Sequence, residues 1–182
     1  SKALRSMLRQ DPDVLMVGEI RDSETAAIVS QAALTGHLVF STPHTNDSIS
    51  AVTRLINLGI EPYLVAATVR GVLAQRLVRK ICSHCKTAWE GDESVRQACG
   101  GGEFSTGAGC SRCRGTGFTG RIGIFELLVP TIKLLEAIGR GASLQELRTL
   151  AEHSTLHVDG LEKVSQGLTT PEEVLCVTRS VA

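Results

Sequence analysis

The stretch VLMVGEIRD, from Val14 to Asp22, decides the fold. It begins with four apolar residues in a row, a pattern typical of a strand buried on both faces of a parallel sheet. An acid, Glu19, follows where this strand is predicted to end. Parallel α/β sheets bind ligands at the carboxyl ends of their strands, so Glu19 is a candidate to polarise a water or help hold magnesium beside a phosphate. The alternative is an acid at a strand edge that pairs only with Arg21.

Helices and strands alternate on both sides of this stretch, over residues 1–80. A helix is predicted from a cap at Asp22 or Ser23 to Gly36, and a second strand is predicted in HLVFST, residues 37–42. Strand, helix and strand in this order predict parallel pairing through a right-handed crossover. Two strands cannot form a covered parallel sheet, so residues 1–80 are predicted to be part of a larger α/β domain.

Two more helices are predicted before residue 80. One begins near Asn46 or Asp47 and ends at Gly59. The other covers EPYLVAATVRGVLAQRLV, residues 61–78. Together they complete the alternating pattern of the first half of the chain.

Polar side chains cluster at the end of the second strand. Four of them could reach a γ-phosphate there: Ser41, Thr42, His44 and Thr45. Another histidine, His37, stands at the beginning of the strand. His37 and His44 would lie about 23 Å apart in an extended chain, so without a bend only one of them can touch a given phosphate. We favour His44 for the site and leave open whether His37 is structural.

The six cysteines include two C-x-x-C pairs separated by 24 residues. The pairs offer four thiolates at the spacing of zinc knuckles: Cys82, Cys85, Cys110 and Cys113. Four protein ligands leave no position open for water, so the pattern predicts a structural zinc site in preference to four unrelated thiols. Metal binding, worth roughly 10–16 kcal/mol in such peptides, would order a glycine-rich segment that has little apolar mass of its own. Cys99 and Cys176 are predicted to be ordinary small residues.

The cysteine segment divides the chain into three predicted domains. They are an α/β part, a zinc subdomain, and a strand followed by a helical tail, over residues 1–80, 81–121 and 122–182. The strand is predicted in RIGIFELLV, residues 121–129. In the tail, Ser143-x-x-Glu146 and Thr170-Pro171-Glu172-Glu173 are capping-box patterns that predict the first turns of two helices.

Composition bears on partners and on the cellular compartment. The 182-residue chain has 19 basic and 19 acidic residues, whereas nucleic-acid binders usually carry a basic excess. No apolar run approaches the ~18 residues of a membrane span, and no secretory leader is recognisable in the sequence. We therefore expect a cytoplasmic protein that does not bind nucleic acid.

Three segments together resemble the secretion ATPase superfamily, the hexameric motors of type II secretion and type IV pilus assembly. They are LRSMLRQDPDVLMVGEIRD (4–22), QAALTGHLVFSTPHTND (31–47) and GVLAQRLVRKIC (71–82). The resemblance covers nearly the whole chain and is closest over residues 1–130. It implies an α/β fold class: the C-terminal part of a RecA-like P-loop NTPase domain, with an inserted four-cysteine zinc subdomain and a helical C-terminal tail.

The resemblance also implies residue roles. VLMVGEIRD matches the Walker B segment of the family, with Glu19 at the catalytic glutamate. TGHLVFSTPHTN matches its histidine box, with His37 and His44 at the two histidines. Arg21 and Thr42 are expected on the nucleotide side of the site. The four paired cysteines match the zinc tetracysteine of the secretion and pilus-extension branch, which the pilus-retraction branch lacks.

The cofactors and partners implied by the resemblance follow from the motor function. ATP and Mg²⁺ would be used in the intact protein, and Zn²⁺ would be structural. The implied partners are further copies of the chain in a hexameric ring, an inner-membrane platform, and cytoplasmic components of a secretion or pilus machine. Through these partners the protein is expected to associate peripherally with the inner membrane.

Two departures from the family pattern bear on the site. Pro43 stands where the family usually has leucine, which alters the exit of the strand just before His44. The phosphate-binding loop G-x-x-x-x-G-K-[ST] does not occur in the sequence, and we expect it in sequence that precedes these residues. Backbone amides and a lysine must hold the β- and γ-phosphates, so these 182 residues alone are expected not to hydrolyse ATP.

Two other functions remain open from the sequence. A non-enzymatic, zinc-stabilised protein-interaction module would account for the absence of the phosphate loop. A RecA-like nucleic-acid motor would share the α/β pattern, although neutral net charge and only one Trp, one Tyr and four Phe argue against it. A phosphate-binding loop in upstream sequence would favour the secretion or pilus motor.

Overall fold

The computed structural model describes residues 2–178. Its elements are, in chain order, α1 Lys2–Leu8, β1 Val14–Val17, α2 Ser23–Leu34, β2 Leu38–Ser41, α3 Ser48–Asn57, α4 Pro62–Thr68, β3 Val72–Ile81, β4 Lys86–Ala88, α5 Glu93–Ala98, β5 Ser105–Gly107, β6 Phe118–Leu128, α6 Ile132–Gly139, α7 Leu144–Leu150, α8 Leu156–Ser165 and α9 Pro171–Thr178. Across these described residues, no helix has both the length and the apolar character needed to cross a membrane.

The described residues form two compact units, each built from two separate stretches of the chain. Unit 1 contains the residues up to Leu73 together with Leu127–His153, and unit 2 contains Ala74–Glu126 together with the residues from Ser154 onward. Both units are therefore discontinuous in sequence, whereas the three predicted domains are continuous. The predicted division at residues 80 and 121 stays a prediction.

In unit 1, the two short strands pair in the predicted parallel orientation. Val14 lies opposite Leu38, and Val17 lies opposite Ser41. Helix α2 connects the strands, and its first turn is capped as predicted, because Asp22 accepts a hydrogen bond of 2.8 Å from the backbone N–H of Thr25. The carboxyl ends of β1 and β2 consequently lie side by side.

One face of this two-stranded sheet is exposed in the described structure. Val14 and Met16 on β1 are 55% and 73% exposed, and their neighbours Leu38 and Phe40 on β2 are also exposed, whereas Leu15 is buried. The prediction that β1 is buried on both faces is therefore wrong for residues 2–178, where only one face is covered. Placement of β1 in a larger sheet stays a prediction.

Helices supply most of the core of unit 1. Its buried side chains pack in one apolar cluster: Ile20, Ala26, Ile49, Val52, Ile60, Val65, Leu128, Leu134, Ala137, Ile138 and Leu147. These residues come from the start and the middle of the chain, so the segment Leu127–His153 completes the core that residues 2–73 begin. The cluster supports the helices that flank β1 and β2.

The predicted helix over residues 61–78 is wrong in its second half. Helix α4 ends at Thr68, and β3 begins at Val72. From Val72 to Val78 the side chains alternate between more buried and exposed positions, the period of a strand. Pairing of β3 with β6 stabilises the strand. Because β6 begins 37 positions after β3 ends, local helical propensity carries no information about this pairing.

In unit 2, the cysteine segment acquires a core from the C-terminal helices. Trp89, Cys99 and Phe104 are buried against Val164, Val174 and Leu175, residues of α8 and α9. Strands β4 and β5 pair antiparallel and bring Trp89 and Phe104 together, with ring centroids 5.7 Å apart. The prediction that this segment lacks enough apolar mass for its own core agrees with this arrangement, since half of the cluster comes from the tail.

The two capping-box patterns behave differently. The hydroxyl of Ser143 accepts a hydrogen bond of 3.2 Å from the backbone N–H of Glu146 and caps α7, as predicted. Helix α9 begins at Pro171, also as predicted. The carboxylate of Glu173, however, accepts from the backbone N–H and the guanidinium of Arg79, at 3.0 and 2.6 Å. The capping-box pattern predicts that Glu173 caps the first turn of α9, whereas in the structure its carboxylate binds Arg79, a residue distant in sequence.

Replacing Gly160 by alanine tests the close packing of α8 on α9. A Cβ at this buried position would lie 2.5 Å from Cγ1 of Val174, whose branched side chain has little freedom to move away. We expect Gly160→Ala to destabilise unit 2 by about 1–3 kcal/mol, measured as a shift of the urea unfolding midpoint. Gly139→Ala is the matched control, because the nearest atom to a Cβ there is 3.7 Å away, and it should be neutral or stabilise by up to about 1 kcal/mol. Equal stability of the two variants would contradict the close packing.

Candidate functional site

A carboxylate, a guanidinium and an imidazole meet at the carboxyl ends of β1 and β2. Glu19 follows β1, and His44 follows β2. The Nε2 atom of His44 lies 3.0 Å from Oε2 of Glu19, and Nε of Arg21 lies 2.6 Å from the same oxygen. The Glu19 side chain is 35% exposed, so the cluster stands at the surface where a ligand can reach it.

Parallel pairing explains why residues 25 positions apart converge. Val17 and Ser41 are paired in register, so the segments that leave the two strands begin next to each other. The hydroxyl of Thr42 donates to the carbonyl of Gly18 and joins these two segments directly. Pro43 lies between Thr42 and His44 and does not prevent the imidazole from reaching Glu19.

The charges around Glu19 favour its ionised form. The guanidinium of Arg21, followed by the imidazole of His44, holds the pKa of the Glu19 carboxyl below its ordinary value. An ionised carboxylate can accept a hydrogen bond from a water or lie near a divalent cation. The same contacts agree with the alternative prediction that Glu19 pairs with Arg21, so the catalytic role stays a prediction.

The other predicted site residues lie in three different surroundings. His37 lies at the start of β2, where its Nδ1 atom is 3.0 Å from the carbonyl oxygen of Ala32 and 3.2 Å from the hydroxyl of Thr35. The hydroxyl of Thr45 donates to the carbonyl of Asp47. The buried hydroxyl of Ser41 has no hydrogen-bond partner among the described residues. The structure therefore groups His44, but not His37, with Glu19.

In unit 2, the four paired cysteines form a compact cluster. Their sulfur atoms all lie within 4.8 Å of one another. Three of the S···S distances are 3.9 Å for Cys82–Cys110 and 3.8 Å for both Cys85–Cys113 and Cys110–Cys113. Tetrahedral zinc with Zn–S bonds of about 2.3 Å requires S···S distances of about 3.8 Å, whereas a disulfide requires about 2.05 Å. The donor set and its spacing fit one tetrahedral zinc ion.

Backbone groups of the second knuckle also favour a thiolate. The N–H groups of Cys110 and Gly117 point at the sulfur of Cys113, at 3.1 and 3.2 Å, and these hydrogen bonds lower the pKa of the Cys113 thiol to about 6. Burial raises the pKa of the Cys85 thiol to about 12. Zinc binds thiolates, so its binding would release a proton from Cys85.

Comparison with known proteins identifies the family. A family model described as type II/IV secretion system protein matches residues 1–176. The chain belongs to this family. Its resemblance to secretion ATPases, predicted from the three quoted segments, is thereby confirmed.

Relatives of this type II/IV secretion protein include both secretion and pilus proteins. The chain is 50% identical to "Type IV pilus assembly ATPase PilB" of Thermus thermophilus over 98% of its own length and 21% of that protein. It is 48% identical to "Type II secretion system ATPase E" of Vibrio cholerae over 98% of its length and 37% of that protein. The chain therefore spans well under half of the length of the relatives that it matches.

A solved structure supports the predicted fold class of this family member. The crystal structure of the pilus retraction motor PilT with bound ADP is similar to it, with a TM-score of 0.71 and 28% identity over 99% of this chain and 43% of that one. The α/β fold, the clustered cysteines and the C-terminal helices agree with the prediction.

Two contacts near the site of this type II/IV secretion protein were not predicted from the sequence. The guanidinium of Arg148 on α7 donates to Asp47 at 2.8 Å, and Nε2 of His153 lies 3.2 Å from the hydroxyl of Ser48. Asp47 also caps α3, and Ser48 is fully buried. These contacts join the segment after His44 to residues about 100 positions later. No local sequence pattern predicts these two contacts, because each of the four residues is also of a type that is common at helix caps or on protein surfaces.

Proposed function

We propose that this chain is the C-terminal part of an ATP-hydrolysing motor for type II protein secretion or type IV pilus assembly. The observation that carries the proposal is the contact of Glu19 with His44 and Arg21 at the carboxyl ends of two parallel strands. Ligand sites of α/β sheets lie at this edge. Membership of the type II/IV secretion family and the printed names of its ATPase relatives support the same function.

Each residue of the cluster would have a distinct task. Glu19, ionised beside Arg21, would orient the water that attacks the γ-phosphate of ATP. His44 would hold the Glu19 carboxylate through its Nε2 atom and sense the γ-phosphate. Arg21 and Thr42 would lie on the nucleotide side, with Thr42 tying the two strand ends together through Gly18.

His37 has the weaker claim to a catalytic role. Its Nδ1 atom contacts the carbonyl of Ala32 and the hydroxyl of Thr35 at the end of α2. His37 lies at the opposite end of β2 from His44. In the intact motor it would therefore contact only a nucleotide at that end of the strand, for instance a nucleotide held by a neighbouring subunit. Mg²⁺ would accompany ATP and neutralise charge on its phosphates, and Glu19 would help to hold it.

The zinc site and the assembly complete the proposal. Cys82, Cys85, Cys110 and Cys113 would bind one Zn²⁺ with no open position, which makes it structural. The intact protein would form a hexameric ring and contact an inner-membrane platform and cytoplasmic components of the machine. It would be cytoplasmic and attached to the inner membrane through these partners.

Turnover by two forms of the protein tests the proposal. The 182-residue chain lacks G-x-x-x-x-G-K-[ST], so we expect no ATP hydrolysis from it above the buffer blank. A longer polypeptide that adds this loop upstream should hydrolyse ATP. Hydrolysis by the short chain would show that phosphate binding does not need the loop. No hydrolysis by the long form under any condition would favour the non-enzymatic zinc-stabilised interaction module.

A further inference from the structure

The two knuckles around the cysteine cluster carry charge of one sign. Residues 79–89 and 104–124 contain six basic side chains and no Asp or Glu, although the whole chain has 19 of each charge. The six are Arg79, Lys80, Lys86, Arg112, Arg114 and Arg121. Acids of the same subdomain lie between these two segments, at positions 90–103. Within this subdomain, the basic side chains are therefore concentrated on the metal-binding loops and on the strands that lead to them.

Among the described residues, only Arg79 of these six cations forms an ion pair with an acid. Arg79 pairs with Glu173 at 2.6 Å, and the ammonium of Lys86 lies against Gly167 at the end of α8. The others define the knuckle patch: Lys80, Arg112, Arg114 and Arg121. All four are exposed, and no carboxylate of residues 2–178 lies within ion-pairing distance of them.

Three cations of the knuckle patch lie beside the clustered cysteines in sequence, and the fourth, Arg121, lies on β6, the strand that pairs with β3, on which Lys80 lies. Arg112 and Arg114 flank Cys113, and Lys80 precedes Cys82 by two residues. Across the knuckles, Nη1 of Arg112 donates to Nε2 of His84 at 2.7 Å, which orients that guanidinium. A zinc ion with four thiolates carries a net charge of −2, so the four cations, with Lys86 beside them, leave the surface positive.

We propose that the knuckle patch is a docking surface for an acidic segment of a protein partner. Three of its four cations are arginines, whose planar forks match carboxylates in a bidentate geometry. Amphipathic surfaces that bind membranes combine cations with apolar anchors, yet none of the exposed large apolar side chains of the described residues falls in 79–89 or 104–124. The chemistry therefore favours a carboxylate-rich peptide over a lipid surface.

A charge-reversal experiment tests this surface on the zinc-loaded 182-residue chain. The probe is a fluorescent decaglutamate peptide, followed by anisotropy at low and at physiological salt. The double variant Arg112→Glu/Arg114→Glu should bind it at least about tenfold more weakly, and wild-type binding should weaken as salt is raised. The control Arg9→Glu/Lys133→Glu makes the same change in net charge at exposed positions of unit 1 and should bind within about twofold of wild type. Zinc content is measured for every variant, so that loss of binding is separated from loss of the metal.

Two results would overturn the proposal. Equal weakening by both double variants would mean that only the net charge matters. The patch would instead bind a membrane surface if the wild-type chain is retained on phosphatidylglycerol vesicles and the variant Arg112→Glu/Arg114→Glu is not. Neither result depends on ATP hydrolysis, so this test fails or succeeds separately from the proposed motor function.

Discussion

Glu19→Gln is expected to abolish ATP hydrolysis in a polypeptide that includes the phosphate-binding loop, while nucleotide binding is retained. Glutamine keeps the size and one acceptor oxygen of the side chain but carries no charge. It therefore cannot accept a proton from water or pair with Arg21, which lies 2.6 Å from the carboxylate. Loss of a general base or water-orienting group lowers kcat by about a hundred- to ten-thousandfold. The measurement is steady-state turnover together with equilibrium binding of a fluorescent ATP analogue.

The control for this variant is Glu61→Gln, which neutralises an exposed carboxylate elsewhere in unit 1. It should leave turnover within about twofold of wild type, as surface substitutions do. Turnover of Glu19→Gln equal to that of this control would remove Glu19 from the mechanism. Loss of nucleotide binding in Glu19→Gln would assign the residue to binding instead of to hydrolysis.

Loss of the metal is expected to unfold unit 2 and to leave unit 1 folded. Four-thiolate zinc binding is worth roughly 10–16 kcal/mol, as much as the whole stability of a typical domain. The buried residues of the unit 1 cluster all come from unit 1, so its helices do not need the metal. The expected result for Cys82→Ser, or after chelation, is loss of one zinc and a partial loss of helical circular dichroism.

Trp89 reports this transition, because it is the single tryptophan of the chain. This residue is 7% exposed, and its Nε1 atom donates to Glu172 at 2.7 Å. When unit 2 unfolds, the indole enters water and its emission shifts to longer wavelength. Cys176→Ser is the control, since Cys176 is exposed and outside the cluster, and this variant should keep the metal and the native emission. A metal-free Cys82→Ser protein with native Trp89 emission would contradict the structural role of zinc.

Both proposed centres were predictable in part because their residues are placed by local pattern. A four-residue apolar run followed by an acid located Glu19, and the strand order brought the end of β2 to the same edge. The C-x-x-C spacing located all four clustered sulfurs. The prediction for residues 72–78 failed because apolar residues there satisfy helical spacing, whereas pairing with β6 selects the strand.

The sequence by itself determined which residues are candidates for chemistry: the acid after β1, the histidine after β2 and the paired thiols, because each is set by spacing along a few residues. Only the tertiary structure decided which distant residues contact one another. Arg148 reaches Asp47 across 101 positions, Glu173 reaches Arg79 across 94, and Trp89 reaches Glu172 across 83. Such contacts depend on how helices and strands pack, and the energy of packing belongs to pairs of distant segments that no local window contains.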